Sequence, residues 1–270
     1  MKSPLRYPGG KGKLYSLVKN IMETNGMLGR TYIEPFSGGY AIGLQLLMNN
    51  DIQRAIINDY DYHIYAIWKC IFFKTKQFVK LIKNTPIDLV EWQKQKEIYE
   101  NYKNYSMLEV GFSAFFLNRT NHSGVIKGGP IGGKEQKGTY KIDCRFNKER
   151  LIAFIEKIST FRDKVEIYNY SAETLITKVI CKRTDELFIN FDPPYVKKGK
   201  MLYTNYYNIS DHEFLSKLIV KKLYKAKWIM TYDECELIKR LYNEFIINDF
   251  ELRYSAGHIK KGKELLISNL

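Results

Sequence analysis

The sequence predicts an α/β fold in which a mostly parallel sheet is interrupted by a helical insertion. Residues 30–59 alternate a short apolar strand, a glycine-rich turn, an apolar helix and a second strand, which is the pattern of a βαβ unit. Residues 62–118 then carry a helical, tyrosine-rich pattern without a strand signal, and residues 119–140 form a glycine-rich, basic loop that we expect to be mobile. Strand-like segments return after residue 164. These observations favour one α/β domain that carries an insertion.

Each predicted strand is a short apolar run that ends at a polar or turn-forming residue. In chain order the runs are RTYIEPF, RAIIND, KVEIYN, ELFINFD, AKWIMTY, FIINDFELRY and KELLISN. Capping residues mark two later helices: Asn147 precedes an amphipathic segment, and the residues from Ser210 match a capping box. We therefore predict a main domain over 1–63 and 147–270 and an insertion over 64–146.

Composition indicates a folded protein with a polyanionic partner. The 270 residues are 45% hydrophobic, which is enough to bury a core, and 43 Lys and Arg against 29 acids give a formal charge of +14. Such a surplus favours nucleic acid through counterion release, although a soluble, lysine-rich surface would give the same total. Residues 31–68 are locally acidic instead. A basic exterior around an acidic pocket fits nucleic acid outside and a cationic small molecule inside.

Membrane, secretory and metal-binding classes are not indicated. No apolar run approaches the length that spans a bilayer, and the N-terminal stretch lacks the apolar segment of a signal peptide. The four cysteines lie far apart without a CxxC spacing, which favours reduced thiols. We expect a cytoplasmic protein without a metal site, and a monomer is the default.

A nucleotide-type binding site is predicted at the first βα turn, within EPFSGG. Glycines at such a turn let the backbone approach a ligand closely, and Asp59 ends the next strand about 20 residues after Gly38, a spacing at which an acid can bind ribose hydroxyls. Taken alone, each feature is explained as well by a tight turn or a helix cap. The earlier PGGKGK is not a Walker motif, because Tyr7 and Leu14 stand where that motif needs Gly and Ser or Thr.

The segment FDPPY, at the end of a predicted strand, carries the strongest chemical signal. Two consecutive prolines cannot donate to a sheet and keep the chain stiff. The exocyclic amine of a nucleobase is a poor nucleophile because its lone pair is delocalised into the ring. The Asp192 carboxylate and the Pro193 carbonyl could hold both of its N–H groups and direct the lone pair at an electrophile. Tyr195 offers a face for stacking an extruded base. The simpler alternative is a strand-ending turn at Pro193-Pro194.

The chain resembles the Dam-like N6-adenine-specific DNA methyltransferases in the order of seven motifs: SPLRYPGGKGKL, YIEPFSGG, NDYD, FLNRTNHSGV, DCRFNKERL, FDPPY and ELLISN. The resemblance covers nearly the whole chain. It implies a Rossmann-like S-adenosylmethionine-dependent methyltransferase sheet with an inserted, mainly helical DNA-recognition domain. The implied activity is site-specific methyl transfer from S-adenosyl-L-methionine to N6 of adenine in double-stranded DNA, by base flipping and direct in-line transfer. It also implies a DNA-associated protein encoded by a bacterium or a phage. Its place in restriction-modification stays open, because the chain could accompany a restriction enzyme or act alone in regulation or on a phage genome.

The resemblance also implies roles for residues at matching positions. Cofactor contacts are expected from Tyr7, Lys11, Glu34, Phe36, Gly38, Asp59 and Asp192, and Asp192, Pro193, Pro194 and Tyr195 are expected to hold the adenine. Candidates for base or phosphate contacts are Arg119, Asn121, Ser123 and Lys127, although a loop that is basic for non-specific affinity explains them equally well. Family members often carry a second glycine where this chain has Tyr40.

Alternative functions share much of this chemistry. The physics of an exocyclic amine does not separate N6 of adenine from N4 of cytosine, or DNA from RNA, and a DNA-binding relative without activity is a third alternative that intact Lys11 and Asp192 argue against. The basic segment 197–207 is a candidate for closing over a flipped base through Tyr206 or Tyr207, or a solvated loop. Among the histidines, His63 and His212 are expected to be structural, whereas His122 is better placed for a nucleic-acid contact.

Overall fold

The computed structural model describes residues 1–6, 11–196, 207–254 and 260–270. They form two compact units. One, the helical unit, comprises Met1–Gly10 and Tyr62–Ile167, and the other, the sheet unit, comprises Lys11–Asp61 and Tyr168–Leu270. Tyr7 and Tyr206, two of the predicted ligand contacts, lie outside the described residues.

The sheet has seven strands. They are β1 Thr31–Glu34, β2 Arg54–Asn58, β3 Val165–Tyr168, β4 Leu187–Phe191, β5 Lys227–Asp233, β6 Ile246–Tyr254 and β7 Lys260–Ser268. Their order across the sheet is β3-β2-β1-β4-β5-β7-β6. The pairs β1–β2, β1–β4 and β4–β5 are parallel, whereas β7 runs antiparallel to β5 and β6. The first five positions have the order of a doubly wound sheet, so the predicted Rossmann-like α/β fold is confirmed.

The α-helices are α1 Tyr15–Thr24, α2 Ala41–Met48, α3 Tyr62–Phe73, α4 Thr75–Asn84, α5 Leu89–Glu100, α6 Met107–Thr120, α7 Lys148–Ser159, α8 Ala172–Lys178, α9 Ile209–Lys222 and α10 Glu236–Leu241. Helices α3 to α7 belong to the helical unit and the others to the sheet unit. Within the described ranges, no helix combines the length and the apolarity that a membrane crossing requires.

The central strands are short apolar runs because parallel strands are covered on both faces. Every residue of β1 and of β4 is buried, and Ile33, Ile189 and Trp228 belong to one hydrophobic core. β1 ends at Glu34, β2 ends at Asn58, and Asp192 follows β4 directly. These polar residues therefore sit at the carboxyl edge of the sheet, where open α/β sheets bind ligands.

Two helix starts show how well local sequence predicts caps. Asn147 caps α7 as predicted, since its side chain accepts a hydrogen bond from the Arg150 amide. The capping box predicted at Ser210 is wrong: Asn208 accepts from the Asp211 amide, and the Asp211 side chain accepts from the Asn208 amide. Asn208 has the extended backbone that a cap requires, whereas Ser210 already lies within the first turn of α9.

The boundary of the helical unit differs from the predicted end of the insertion at residue 146. Helix α7 packs against α3 and α4. Its apolar face, which includes Leu151 and Ile155, is buried, and the Lys148 ammonium donates to the Lys83 and Thr85 carbonyls. Because this amphipathic helix buries its apolar face on other helices, it extends the helical unit beyond the predicted limit.

Glu34, at the end of β1, is a carboxyl group enclosed by protein. Only 7% of the residue is exposed, and its carboxyl oxygen accepts a hydrogen bond from the Tyr32 hydroxyl at 2.7 Å. Asn190 donates in turn to the Tyr32 hydroxyl at 2.8 Å. Burial disfavours the charged form and raises the pKa of Glu34 to about 8, despite the opposing effect of the Tyr32 hydrogen bond.

This raised pKa makes stability depend on pH. Between the ordinary carboxyl pKa of 4.5 and about 8, the folded protein holds the Glu34 proton and the unfolded chain has lost it. The contribution of this proton is complete below pH 4.5 and declines as pH rises, by at most about 1.4 kcal/mol per pH unit. We expect Glu34→Gln to lose less free energy of unfolding than wild type between pH 5 and 8, as measured by urea denaturation. The control is Glu23→Gln, at an exposed carboxyl group, and parallel declines in wild type and Glu34→Gln would contradict a protonated Glu34.

Candidate active site at the carboxyl edge of the sheet

An ion pair between Lys11 and Asp192 occupies the end of β4. The Lys11 ammonium lies 2.7 Å from Asp192 Oδ1, and only 6% of the lysine side chain is exposed against 30% of the aspartate side chain. The Thr231 hydroxyl on β5 contacts the same ammonium. No hydrogen bond from the described residues reaches Asp192 Oδ2. The partly exposed carboxylate is therefore fixed through one oxygen and retains the other as an acceptor.

A second carboxylate, Glu264 on β7, completes this arrangement. Its Oε2 lies 3.4 Å from the Lys11 ammonium, and its Oε1 accepts a hydrogen bond from the Tyr195 hydroxyl at 2.6 Å. The ammonium also lies 5.1 Å from the centre of the Tyr195 ring. Burial raises the pKa of Glu264, whereas Lys11 and the Tyr195 hydroxyl act in the opposite direction. One buried cation thus links the aspartate, the glutamate and the tyrosine.

Glu264 was not predicted as a site residue. The closing motif ELLISN identified its segment, but not its role. Only 1% of Glu264 is exposed, between a charged run and an apolar run of β7. A lone acid entering an apolar strand is the signal that could have found it, since such a group is buried only with a partner.

The segment Asp192 to Tyr195 is held at both ends. Pro193 and Pro194 are buried and fall outside the sheet ladder, as two prolines require. After them, the Val196 amide donates to Asp233 Oδ1 at 3.1 Å, and Asp233 ends β5. The four predicted catalytic residues, Asp192 to Tyr195, therefore form one segment that is held at both ends.

The first βα turn brings Gly38 and Asp59 together, as their spacing suggested. The Gly38 amide donates to Asp59 Oδ2 at 2.9 Å, and the Asp61 amide donates to Asp59 Oδ1 at 3.0 Å. Gly38 has φ +45°, a backbone conformation that favours glycine. Burial, followed by the Asp61 charge, raises the pKa of Asp59 to about 7.

Tyr40 places a side chain within this turn. It has φ +45°, which is uncommon for a residue with a side chain, and it directly precedes α2. Its buried ring covers Gly43: a Cβ atom added there would lie 2.2 Å from Tyr40 Cζ. The turn thus keeps the left-handed backbone while filling the neighbouring space with an aromatic ring.

Phe36 and Tyr207 form an aromatic pair in the same unit. Their ring centres are 5.8 Å apart in an edge-to-face arrangement, and the Tyr207 hydroxyl donates to Glu173 at 2.7 Å. Phe36 is partly buried, in keeping with its predicted place on a pocket wall. The Tyr207 hydroxyl is engaged with protein, so this residue does not have the free tip expected of one that closes over a base.

The four predicted DNA contacts differ in exposure. Ser123 and Lys127 are exposed, and Arg119 is partly buried at the end of α6. Asn121 is fully buried: it accepts from the Trp92 indole at 2.6 Å and donates to the carbonyl groups of Val125, Ile126 and Gly128. A direct DNA contact by Asn121 does not fit this geometry. Its side chain instead organises the loop, which is a series of hydrogen-bonded turns and not the open segment that we expected.

The histidines and possible metal ligands are placed as follows. His63 stacks on Tyr99, with ring centres 4.0 Å apart, and His212 Nδ1 lies 2.8 Å from the Tyr232 hydroxyl, so both histidines are packed inside their own units. His122 is exposed. Across the described ranges, no three His, Cys, Asp or Glu side chains are grouped as metal ligands would be.

Comparison with known proteins gives a consistent family. A family model described as D12 class N6 adenine-specific DNA methyltransferase matches residues 7–256. The chain is 24% identical to the type II methyltransferase M.MjaIII of Methanocaldococcus jannaschii, over 97% of this chain and 90% of that protein. It is 23% identical to M.CviBI of Paramecium bursaria Chlorella virus NC1A, over 94% of this chain and 91% of the relative. M1.LlaDCHI of Lactococcus lactis subsp. cremoris is also 23% identical, over 98% of this chain and 94% of that protein.

The match begins in the N-terminal motif, includes residues of both units and Asp192 to Tyr195 at the end of β4, and ends beyond β6. The relatives are matched over nearly their full lengths. The chain therefore belongs to the D12 class of N6 adenine-specific DNA methyltransferases, whose general function is S-adenosylmethionine-dependent DNA methylation.

Proposed function

We propose that this protein methylates N6 of an adenine that is flipped out of duplex DNA, and that Asp192 to Tyr195 hold the base. The observation that carries this proposal is the hydrogen bonding of the Asp192 carboxylate. Lys11 engages one carboxylate oxygen, and the other has no hydrogen bond from the described residues. The Pro193 carbonyl, on the next residue, likewise accepts no hydrogen bond from them. Two rigid acceptors are thus available for the two N–H groups of one amine.

The chemistry follows from the position of these acceptors. Holding both N–H groups favours a tetrahedral nitrogen, whose lone pair is withdrawn from the ring and available for attack. The amine loses a proton when its new bond to carbon forms, and Asp192 Oδ2 is the acceptor placed to take it. Lys11 fixes the orientation of the carboxylate throughout. Tyr195 is only 5% exposed, so it stacks on the extruded base once its ring is uncovered. No covalent enzyme intermediate is required.

The residues around the first βα turn fit S-adenosylmethionine, which supplies an electrophilic methyl group when it is bound. Gly38 has no side chain to exclude a ligand, and each Asp59 oxygen has a lone pair left after accepting one backbone amide, so the carboxylate can accept ribose hydroxyls. Phe36 supplies an apolar wall. Lys11 is engaged with Asp192 and Glu264, so its role is to organise carboxylates and not to bind the cofactor's own carboxylate. Glu34 is buried and bonded to the Tyr32 hydroxyl, so we do not assign it a direct contact with the cofactor.

The helical unit is the proposed DNA-recognition region. Ser123 and Lys127 are exposed on its basic loop, and Asn121 holds that loop in shape. The four cysteines are free thiols, which is compatible with the cytoplasmic location proposed here. A monomer is the proposed working state.

The proposed reaction is tested by methyl transfer from labelled S-adenosylmethionine to unmethylated duplex DNA, followed by digestion to nucleosides. We expect the label in N6-methyladenine. Label in N4-methylcytosine would overturn the base assignment, and transfer only to RNA would overturn the substrate. Asp192→Ala should reduce transfer by about 100-fold or more, because the amine loses a positioned acceptor. Asp185→Ala, at an exposed acid just before β4, is the matched control and should retain activity. Near-normal transfer by a folded Asp192→Ala protein would reject the mechanism.

Glu264 provides a second test, as a positioning residue that acts through Tyr195 and Lys11. Tyr195→Phe keeps the stacking ring and removes the hydroxyl, whereas Glu264→Ala removes its acceptor. Because these two changes remove the same hydrogen bond, we expect a coupling of about 0.5–3 kcal/mol in kcat between them. Glu264→Gln keeps an acceptor for Tyr195 but loses the charge beside Lys11, so its effect on kcat should add to that of Tyr195→Phe. Additive behaviour in both pairs, to within about 0.5 kcal/mol, would show that the Tyr195–Glu264 bond does not serve catalysis.

A further inference from the structure

Four arginines converge within the helical unit, and we call them the arginine cluster: Arg6, Arg119, Arg145 and Arg150. Arg119 is on the last turn of α6 and Arg150 on the first turn of α7, while Arg145 lies in the loop between these helices. Arg6 is brought to them by the N-terminal segment. Its amide donates to Asn118 Oδ1 at 2.8 Å, and its carbonyl accepts from Asn118 Nδ2 at 2.8 Å. The cluster is therefore assembled from distant parts of the sequence.

The charges of this cluster are not neutralised by neighbouring acids. None of the ion pairs among the described residues includes any of the four arginines. The acids nearest in sequence, Asp143 and Glu149, are exposed and form no ion pair with the cluster in that part of the chain. Like charges near one another without a counter-ion repel most strongly where solvent screens them least, which is at the partly buried Arg6 and Arg119, so a bound anion would lower the free energy of the cluster.

Arg119 experiences this environment most strongly. Burial, followed by the charges of Arg6, Arg145 and Arg150, lowers the pKa of Arg119 to about 10. Its guanidinium donates to the Arg145 carbonyl, and its buried Nε has no hydrogen-bond partner among the described residues. A buried donor without a partner is uncommon in a folded protein, and it indicates a group that is completed by a ligand or a water molecule.

A cavity of about 510 Å³ opens beside the cluster, and Arg6 and Arg145 line it together with His122, Ser123, Tyr140 and Cys144. Its size lies within the usual range of ligand sites. The loop is built closely around Arg6: a Cβ atom on Gly124, which has φ +76°, would lie 2.0 Å from the Arg6 carbonyl oxygen. Gln136 fixes another part of the loop by donating to the Ile131 and Gly133 carbonyls. The basic lining is thus held by packed backbone.

We propose that the arginine cluster and this cavity bind a phosphate group, and that in the working enzyme this group is a backbone phosphate of the DNA substrate. This inference rests on the proposed function. Guanidinium groups present paired donors that match phosphate oxygens, and buried arginine is better suited than lysine to such a site. A contact of this kind sets the register of the duplex on the protein without reading its sequence. The cluster is therefore a positioning site that is separate from base recognition.

The first test measures duplex affinity against salt concentration for Arg145→Gln, which changes an exposed member of the cluster. Losing one phosphate contact should lower the slope of log K against log salt by about 1 and weaken binding about tenfold in about 0.1 M salt, alike for duplexes of different sequence. Arg162→Gln is the matched control: Arg162 belongs to the same unit, is exposed and pairs with Asp163 outside the cluster. An unchanged slope in Arg145→Gln, or an equal change in Arg162→Gln, would overturn the proposal.

The second test locates the bound phosphate through the protection of a nearby thiol. Cys144 is an exposed free thiol on the cavity wall. Duplex DNA should slow its alkylation by iodoacetamide in the wild-type protein, as followed by peptide mass spectrometry, and should protect it less in Arg145→Gln. Cys181, a partly exposed thiol in the sheet unit, reports on general effects. Protection of Cys144 by inorganic phosphate but not by DNA would assign the site to a free anion and overturn the DNA assignment.

These outcomes separate this site from the proposed reaction. Methyl transfer to adenine with an unchanged salt slope in Arg145→Gln would leave the reaction intact and reject the phosphate site. Loss of slope together with protection of Cys144 would support the site even if the labelled methyl group were found on another base. S-adenosylmethionine binding by Arg145→Gln should equal that of wild type, because the variant leaves the sheet unit unchanged.

Discussion

A single buried ammonium group organises the catalytic edge of the sheet. Lys11 lies at the entrance to the first helix of the sheet unit, and its Nζ atom contacts groups on β5 and β7 and in the segment that follows β4. A buried cation is stable only when carboxylates and other acceptors surround it closely, because removing it from water is costly. The N-terminal segment, three neighbouring strands and the DPPY segment therefore depend on one another through this one charge. Removing either carboxylate changes the balance of the whole group and not just one contact.

The two units manage charge in opposite ways. In the sheet unit, burial raises the pKa of Asp59 and Glu264, and it keeps Glu34 protonated at neutral pH. In the helical unit, four arginines share one region, and burial lowers the pKa of Arg119. Each unit thus places ionisable groups where burial disfavours the charged form, and a bound ligand of opposite charge would offset that cost. This arrangement agrees with the proposal that the sheet unit binds a cationic small molecule and the helical unit binds a polyanion.

The sequence predicted those features that depend on local order. The apolar runs gave all seven strands, and the spacing between Gly38 and Asp59 matched a hydrogen bond of 2.9 Å. Glu264 escaped prediction because its role depends on the antiparallel pairing of β7 with β5, where it stands opposite Asp233. Sequence spacing does not specify such a register. Asn121 was misread for a related reason: a polar residue in a glycine-rich loop looks exposed until the carbonyl groups around it are known. The prediction of the α9 cap was wrong for a local reason: Asn208 and Ser210 are both residue types that cap helices, and they lie two residues apart.

The pairing of Tyr40 with Gly43 makes substitutions at these two positions interdependent. The tyrosine ring occupies the volume that any side chain at residue 43 would need, and its backbone holds a conformation that glycine would adopt more easily. Replacing Tyr40 by glycine would relieve the backbone but leave a void beside Gly43. Enlarging residue 43 alone would produce a direct clash with the ring. A side chain at residue 43 therefore fits only when the ring at residue 40 has been removed, so the free-energy effects of the two changes are not additive.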